Sequence, residues 1–213
     1  MQADYVWQNG RYMWKYIVGA VVLVLLAGGG YYFLYAKKSP VAGQMAPAPV
    51  HVATTTYAGA DFSLVYPANY TVDAAYAYDQ FGPKKLINGV KFIIPASMAT
   101  GTNLADDTYL SVETLPRAKN CTGDIYLSGD VVPQTLMENG VQYSVANSSG
   151  AGAGNRWEES VYAIMGSTPC TAVRYLVHFG VIENYPVGAV HEFDRATLLA
   201  DFDKIRQSLT LAH

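Results

Sequence analysis

The sequence is poor in cysteine and in charged residues. It has two cysteines among 213 residues, 15% of the residues are charged, and the formal net charge is −3. Two cysteines are too few to hold a zinc ribbon or an iron–sulfur cluster by themselves. The small negative charge argues against a protein that binds nucleic acid electrostatically. Apolar residues are abundant instead: 51% are hydrophobic and 17 are tyrosine, which excludes a disordered chain.

One long uncharged segment lies near the N-terminus. Ile17–Tyr35 comprises nineteen consecutive uncharged residues, and as a helix it would extend roughly 28 Å, close to the hydrocarbon thickness of a bilayer. Aromatic residues, which favour the membrane interface, flank it at both ends: Tyr12, Trp14, Tyr16, Tyr31, Tyr32 and Tyr35. A cleaved signal peptide is the alternative, but its apolar region normally has only about 7–15 residues. We therefore predict a transmembrane helix over residues 17–36 that contacts the lipid bilayer.

The orientation of this predicted helix depends on the cysteines. Two basic residues lie beyond each end of the apolar segment, so the positive-inside rule does not decide the orientation of the helix. Cys121 and Cys170 both belong to the larger part of the chain, and an isolated pair in an oxidising compartment commonly forms a disulfide. Closing a loop of about 50 residues would stabilise the fold by roughly 4 kcal/mol. Two free thiols in a cytosolic domain are the alternative. We predict the disulfide, with residues 1–16 in the cytoplasm and the domain outside it.

The segment after the predicted helix has the composition of a linker. Residues 37–56 are rich in proline and alanine and lack apolar periodicity, which is typical of a semi-extended tether. His51 within it has no predicted role. The remaining residues, 57–213, are numerous enough to bury a core. We predict that they form one extracytoplasmic domain.

Alternating apolar residues predict strands in this domain. The segments that show the pattern are 61–66, 89–95, 109–115, 141–145, 156–165 and 171–182. In the third of them, Leu110 and Val112 share one face, and Ser111 and Glu113 lie on the other. Residues 147–155, rich in glycine and serine, are predicted to be a loop.

The last element is predicted to be a helix. Leu198, Phe202, Ile205 and Leu209 recur at helical spacing, and Asp194 precedes them as a predicted N-cap. A helix with one apolar stripe needs a sheet to pack on. We therefore predict an α+β fold, with a mostly antiparallel sheet of five to seven strands packed by the C-terminal helix. Residues 116–140 are expected to contain another short helix, which the pattern does not locate.

Several segments of the domain resemble a group of bacterial single-pass envelope proteins of unknown function. They are Asp-Phe-Ser-Leu-Val-Tyr-Pro (61–67), Gly-Val-Lys-Phe-Ile-Ile-Pro (89–95), Gly-Thr-Asn-Leu (101–104), Tyr-Leu-Ser-Val-Glu (109–113) and Pro-Val-Gly-Ala-Val-His-Glu-Phe-Asp-Arg (186–195). This resemblance implies a bacterial envelope location and no activity. The order of a strand ending in Tyr-Pro, an antiparallel sheet and a final helix is also similar to the Mog1/PsbP-like fold. That similarity implies a binding or assembly module, at the level of fold alone.

The motifs of common catalytic and cofactor sites are missing. The glycines of Gly150–Gly154 lack the spacing of a phosphate-binding loop, and no Gly-x-Ser-x-Gly elbow occurs. His191 is followed by Glu192, but the second histidine of a zinc-protease helix is missing. A metal site built from His178, His191 and a carboxylate is the less favoured interpretation of these histidines. We predict no catalytic residue, metal ligand or cofactor.

Two further features have competing interpretations. The acidic pairs Asp106-Asp107 and Glu158-Glu159 would point to opposite faces of an extended chain, so we expect solvated charges rather than acid–base partners. Trp157 is predicted to pack in the sheet core, the alternative being a surface anchor for a partner.

The predicted function follows from the anchor, the linker and the compact domain. We expect a binding or assembly module held at the bacterial cytoplasmic membrane, with an envelope protein or a cell-wall component as its partner. The alternatives are an envelope hydrolase or other enzyme with an unrecognised site, and a structural subunit of a membrane complex.

Overall fold

The computed structural model describes residues 52–212. The predicted cytoplasmic segment 1–16, the predicted transmembrane helix 17–36 and most of the predicted linker lie outside the described residues, as do His51 and His213. Among residues 52–212, no helix has the length and apolar character that crossing a membrane requires.

The described chain is built mainly from strands. They are β1 Thr54–Ala58, β2 Phe62–Pro67, β3 Thr71–Asp73, β4 Ala77–Tyr78, β5 Ile87–Ile93, β6 Tyr109–Leu115, β7 Gln134–Glu138, β8 Val141–Gly152, β9 Asn155–Ile164, β10 Cys170–Gly180 and β11 Thr210–Leu211. The α-helices are α1, Ala96–Ala99, and α2, Arg195–Gln207. Short 3-10 helices cover Gly123–Tyr126 and Ile182–Asn184.

These strands form two antiparallel sheets. The main sheet has the order β3-β5-β6-β10-β9-β8-β7, with β4 also paired to β5, and the small sheet has the order β1-β2-β11. The predicted α+β class, antiparallel sheet and C-terminal helix are therefore confirmed. The main sheet has eight strands rather than five to seven. The prediction fell short because β3 and β4 have only three and two residues, and β7 is almost wholly exposed, so alternation does not reveal them.

One face of the main sheet, which we call the helix face, contains Val173 and Tyr175. It is covered by α2 and by β2 of the small sheet. The buried residues of this apolar cluster are Phe62, Leu64, Tyr70, Val90, Phe92, Ile94, Leu104, Leu110, Val112, Val173, Tyr175, Val177, Leu198, Phe202 and Ile205. The side chain of Asp194 accepts a hydrogen bond from the Thr197 backbone N–H, which confirms the predicted N-cap of α2.

The hairpin β8–β9 extends further than its composition indicated. Residues 147–152, predicted to be loop, continue strand β8, and only Ala153 and Gly154 form the turn, both with positive φ. Every residue from Tyr143 to Gly152 has a partner in β9. The prediction was wrong because small residues lack alternation, whereas pairing with a neighbouring strand satisfies their backbone groups.

Two further predictions concern the start of the domain and the short helix within residues 116–140. Strand β1 begins at Thr54, inside the segment predicted to be linker, and pairs with β2. Residues 116–140 contain the 3-10 helix Gly123–Tyr126 and strand β7 rather than an α-helix.

Candidate functional site

The second face of the main sheet, which we call the cleft face, contains Arg174, Leu176 and His178 of β10. At one end it is covered by residues 116–131 and β4, which join the sheet in a second apolar cluster. The remaining part forms an open cleft of about 790 Å³, a size typical of small-molecule sites. Its lining residues are Asp73, Ala75, Tyr76, Ala77, Tyr78, Asp79, Gln80, Lys91, Asp107, Tyr109, Ser128, Ser148, Ser149, Gly150, Trp157, Glu159 and Leu176.

A disulfide holds the covering segment to the sheet. Cys121 in that segment is bonded to Cys170 at the start of β10, with Cα atoms 5.1 Å apart. The predicted pairing of Cys121 and Cys170 is thus confirmed. Beside it, the Tyr126 hydroxyl donates to the Cys170 carbonyl at 2.8 Å. The covered end of the cleft face is therefore fixed covalently and by a buried hydrogen bond.

A fully buried arginine lies at the boundary between the covered and open parts. The side chains of Arg174 and Glu113 both have 0% exposure. Arg174 Nε and Nη2 donate to the two carboxylate oxygens of Glu113 at 2.8 and 2.9 Å. Arg174 Nη2 also donates to the Tyr126 carbonyl, and Nη1 pairs with Glu159. Such a bidentate pair with further carboxylate and carbonyl partners compensates the buried charge.

This arrangement determines the charge state of Arg174. Burial by itself would lower the pKa of the guanidinium, but Glu113 and then Glu159 outweigh it and raise that pKa above its ordinary value. The Tyr78 ring lies over the guanidinium with 3.6 Å between Cζ and the ring centroid, and its hydroxyl donates to Glu159 at 3.1 Å. Arg174 therefore stays charged and is held in a single position.

Two tyrosines form a hydrogen-bonded pair on the cleft wall. The hydroxyl oxygens of Tyr76 and Tyr109 are 2.7 Å apart. Burial raises the pKa of both hydroxyls, with Tyr109 adding to the effect on Tyr76. Lys91 Nζ lies 5.0 Å from the Tyr76 ring centroid, 5.4 Å from that of Tyr109 and 4.0 Å from Asp73. Both rings consequently stay neutral and already have a cation beside them.

Trp157 lies at the open end of the cleft. It is half-buried on the cleft face, where its indole stacks on the His178 ring with centroids 4.8 Å apart. His178 Nδ1 is 2.6 Å from Asp107, which orients the imidazole. Among the described residues, the buried Nε2 of His178 has no hydrogen-bond partner. The prediction that Trp157 packs in the sheet core was wrong, since β9 turns this side chain to the uncovered part of the cleft face.

Glu158 and Glu159 do point to opposite faces of strand β9, whereas Asp106 and Asp107 lie in a turn. Glu158 pairs with Arg195 on the helix face, whereas Glu159 pairs with Arg174 on the cleft face. Each finds a basic partner because the neighbouring strand or helix supplies one at the same level of the sheet. The expectation of solvated charge was wrong for Glu159.

The histidines do not come together. His178 pairs with Asp107, while the backbone of His191 pairs with Gly101 and Asn103 in a loop. Among residues 52–212, no three His, Cys, Asp or Glu side chains are grouped so that they could hold a metal ion. The glycines Gly150 and Gly152 belong to strand β8, with no helix after them, and so do not form a phosphate cradle.

A second groove lies beside the disulfide and is less suited to recognition. It has a volume of about 690 Å³ and is lined only by residues from the segment 115–125, none of them aromatic. Because one continuous segment forms it, the groove lacks the convergence of side chains from several elements that the cleft has.

The charged network of the cleft face was missed in the sequence. Glu113, Arg174 and Glu159 are each the polar member of an alternating strand, a pattern that is also typical of a solvent-exposed face. Their proximity depends on the order β6-β10-β9 and on its register, in which Arg174 pairs with Ser111 and Val161. The one available signal was a run of opposite charges on predicted neighbouring strands.

Comparison with family models and with curated proteins identifies no relative of the chain. No protein-family model matches the chain, and no curated protein matches it significantly. The resemblance to bacterial envelope proteins and to the Mog1/PsbP-like fold stays a prediction. The cleft itself is therefore the basis for any functional conclusion.

Proposed function

We propose that this chain is a membrane-anchored, extracytoplasmic binding module of the bacterial envelope, anchored by residues 17–36 and binding its ligand in the cleft. The observation that carries this proposal is the open half of the cleft face. Side chains from β3, β4, β5, β6, β8, β9 and β10 converge there at one cleft with a charged network beside its floor. Concave sites with a few well-placed polar groups are typical of ligand recognition.

The rigidity of the cleft supports a recognition role. Arg174 is held by two carboxylates, a carbonyl and a tyrosine ring, and Trp157 is supported by His178. A site whose side chains are fixed before binding loses little conformational entropy when the ligand arrives. The cleft is thus organised as a preformed surface.

The disulfide supports the location outside the cytoplasm. Cys121–Cys170 is a bond that persists in oxidising compartments and is rare in the cytosol. In the proposed topology residues 1–16 are on the cytoplasmic side and the domain is outside, so the predicted helix would cross the membrane once.

Site-directed labelling tests this topology in intact cells. Val187→Cys places a thiol on a fully exposed residue of the domain, and Ala3→Cys places one in the predicted cytoplasmic segment. We expect a sulfonated maleimide that does not cross the cytoplasmic membrane to label Val187→Cys in intact cells and Ala3→Cys only after lysis. Labelling of Ala3→Cys alone in intact cells would reverse the proposed topology.

Photo-crosslinking tests the cleft without assuming a ligand. A benzophenone amino acid is placed at Ser148, which lines the cleft, and in a matched strain at the exposed Val187. We expect a crosslinked product at position 148 in cells that is absent at position 187 and decreases with Trp157→Ala. Equal yields at both positions would contradict a binding role for the cleft.

The Asp107–His178 pair favours a second candidate function, an enzyme of the envelope. A carboxylate on Nδ1 orients an imidazole as in sites of acid–base catalysis, and Asp107 of this pair lines the cleft. A hydrolase of this kind would cleave a simple ester probe such as p-nitrophenyl acetate, and His178→Gln would abolish the cleavage. Cleavage no faster than in buffer would exclude this esterase activity and leave the binding role as the proposed function.

A further inference from the structure

The indole of Trp157 has one supported face and one free side. His178 stacks on it, and Trp157 is paired across the strands with Gly150 of β8, which has no side chain to cover the indole. A Cβ added at Gly150 would meet no atom within 4 Å, and one added at Gly152 would come no closer than 3.9 Å to the indole. Among residues 52–212, no second aromatic ring stacks on this indole. Open space therefore lies next to a fixed aromatic surface.

Carboxylates outnumber basic groups around this space, although most of them have a partner. Four carboxylates line the cleft, those of Asp73, Asp79, Asp107 and Glu159, and Lys91 is the one basic side chain among the described lining residues. Asp107 is paired with His178, and Glu159 with Arg174. The excess of carboxylates disfavours an anionic ligand because it would be repelled.

A cationic ligand is disfavoured for a different reason. The tyrosine rings that would attract a cation already have Lys91 Nζ at 5.0 and 5.4 Å. An external ammonium group would have to displace this lysine or lie close to it. An uncharged ligand with many hydroxyl groups meets neither obstacle, since carboxylates with a paired counter-charge still accept hydrogen bonds from hydroxyls.

We propose that the cleft binds an uncharged saccharide, with one sugar ring packed by its C–H face on Trp157 over Gly150 and its hydroxyls donating to Glu159 and to Ser148. This proposal rests on the proposed binding function and gives that function its ligand class. A pyranose ring has an apolar face and a rim of hydroxyls, which fits an indole flanked by carboxylate and hydroxyl oxygens.

Tryptophan fluorescence of the full-length chain tests the proposal. Trp7 and Trp14 are replaced by phenylalanine, so that Trp157 is the only indole, and the chain is kept in a polyoxyethylene detergent that has no sugar headgroup. The probes are cellotriose, chitotriose and maltotriose. We expect saturable quenching or a spectral shift with at least one of them, and no weakening of it at about 0.5 M sodium chloride because the ligand is uncharged.

Variants then locate the bound sugar by calorimetry. We expect Trp157→Ala to bind at least about tenfold more weakly, in line with the loss of an aromatic stacking contact. Gly150→Val, which fills the open space, should weaken binding as much. Tyr185→Ala removes an aromatic ring outside the cleft and should leave the affinity unchanged.

Any one of three outcomes would overturn the saccharide assignment. These outcomes are no saturable change with any of the three probes, equal binding by Trp157→Ala, or salt-sensitive binding of spermidine in place of the sugars. If photo-crosslinking at Ser148 still gave a specific product, the binding function would stand and only the ligand class would fall. Sugar binding at the cleft without a crosslinked product would uphold the saccharide assignment and exclude a macromolecular partner at this site.

Discussion

The helix face and the cleft face of the main sheet each bury one arginine, Arg206 and Arg174, with 2% and 0% exposure. Arg206 on α2 donates to the hydroxyl of Tyr175 and to Asp203 on the same helix, and it forms an ion pair with Glu138. The carboxylates of Asp203 and Glu138 are 41% and 30% exposed. Arg174, in contrast, has partners that are buried or nearly so and come from β6, β9 and the covering segment.

This difference teaches what each arginine does. Arg206 closes the margin of an otherwise apolar cluster, where water reaches its partners. Arg174 joins three separate parts of the fold beside the cleft, so its charge is compensated by protein atoms alone. A buried ion pair of this kind is costly to break but adds little stability over an apolar replacement of the whole set. Its position next to the cleft fits a role in holding the site's geometry.

The largest expected effect comes from removing the charge of Arg174. Arg174→Met leaves Glu113 and Glu159 without their counter-charge, and Glu113 is fully buried, so we expect a loss of about 3–5 kcal/mol in the free energy of unfolding. Arg206→Met should cost only about 1–2 kcal/mol because its carboxylates can be hydrated. Urea unfolding of the full-length chain, followed by circular dichroism, measures both.

Two results decide this comparison. Arg174→Lys keeps the charge but loses the bidentate pair, so its stability should lie between those of the parent chain and Arg174→Met. Equal losses for Arg174→Met and Arg206→Met would show that the two faces do not differ in how they bury charge.

The disulfide should restrict local opening mainly on the cleft face. Replacing Cys121 and Cys170 together by alanine should reduce stability by about 2–4 kcal/mol, since the bond closes a long loop. Hydrogen exchange should then increase most in residues 116–131, which cover the cleft face, and least in α2. Mass spectrometry of the exchanged chain measures this. An equal increase in α2 would mean that the bond stabilises the fold as a whole.

The sequence was sufficient for those parts of the fold that local patterns determine. Strand β6 has the predicted bounds, 109–115, because its apolar alternation is regular, and α2 begins where Asp194 provides a cap. The bond between Cys121 and Cys170 followed from there being no other cysteines.

The candidate site depended on tertiary pairing instead. Arg174 occupies a polar position of an alternating strand, and the sequence does not reveal that residues 116–131 cover it because that segment has neither alternation nor helical periodicity. Trp157 is predicted to be a core residue, and the sequence does not reveal that its cross-strand neighbour is Gly150, because residues 147–155 are predicted to be a loop. Once β8 is known to continue to Gly152, the space beside the indole follows from the register.

The loss of unfolding free energy at high pH allows the buried tyrosines of the two faces to be compared. Burial raises the pKa of Tyr76 on the cleft face and of Tyr175 on the helix face. In the unfolded chain these hydroxyls ionise near pH 10, whereas in the folded chain they keep their protons. Their contribution is therefore fully present well below pH 10 and is lost as the pH rises toward the folded pKa, at a rate that approaches about 1.4 kcal/mol per pH unit for each tyrosine.

Tyrosine-to-phenylalanine variants measure this contribution. We expect Tyr76→Phe and Tyr175→Phe each to reduce the fall in unfolding free energy between about pH 10 and 11 by about 1 kcal/mol. Tyr185→Phe, at an exposed position, is the matched control. Unfolding curves at three pH values give the slopes. A change in only one of the two buried variants would show that the faces differ in access to water.

The smallest expected effect on stability comes from filling the cleft. A side chain at Gly150 enters open space on a strand, so Gly150→Val should change the free energy of unfolding by less than about 0.5 kcal/mol. Gly89 lies on the same face in the covered half, where an added Cβ would be 2.4 Å from the Val112 carbonyl oxygen. Gly89→Ala should therefore cost about 1–3 kcal/mol. Thermal unfolding of both variants tests whether the covered and open halves of the cleft face differ as described. A large loss in Gly150→Val would mean that the cleft is closed by contacts of its own rather than open to a ligand.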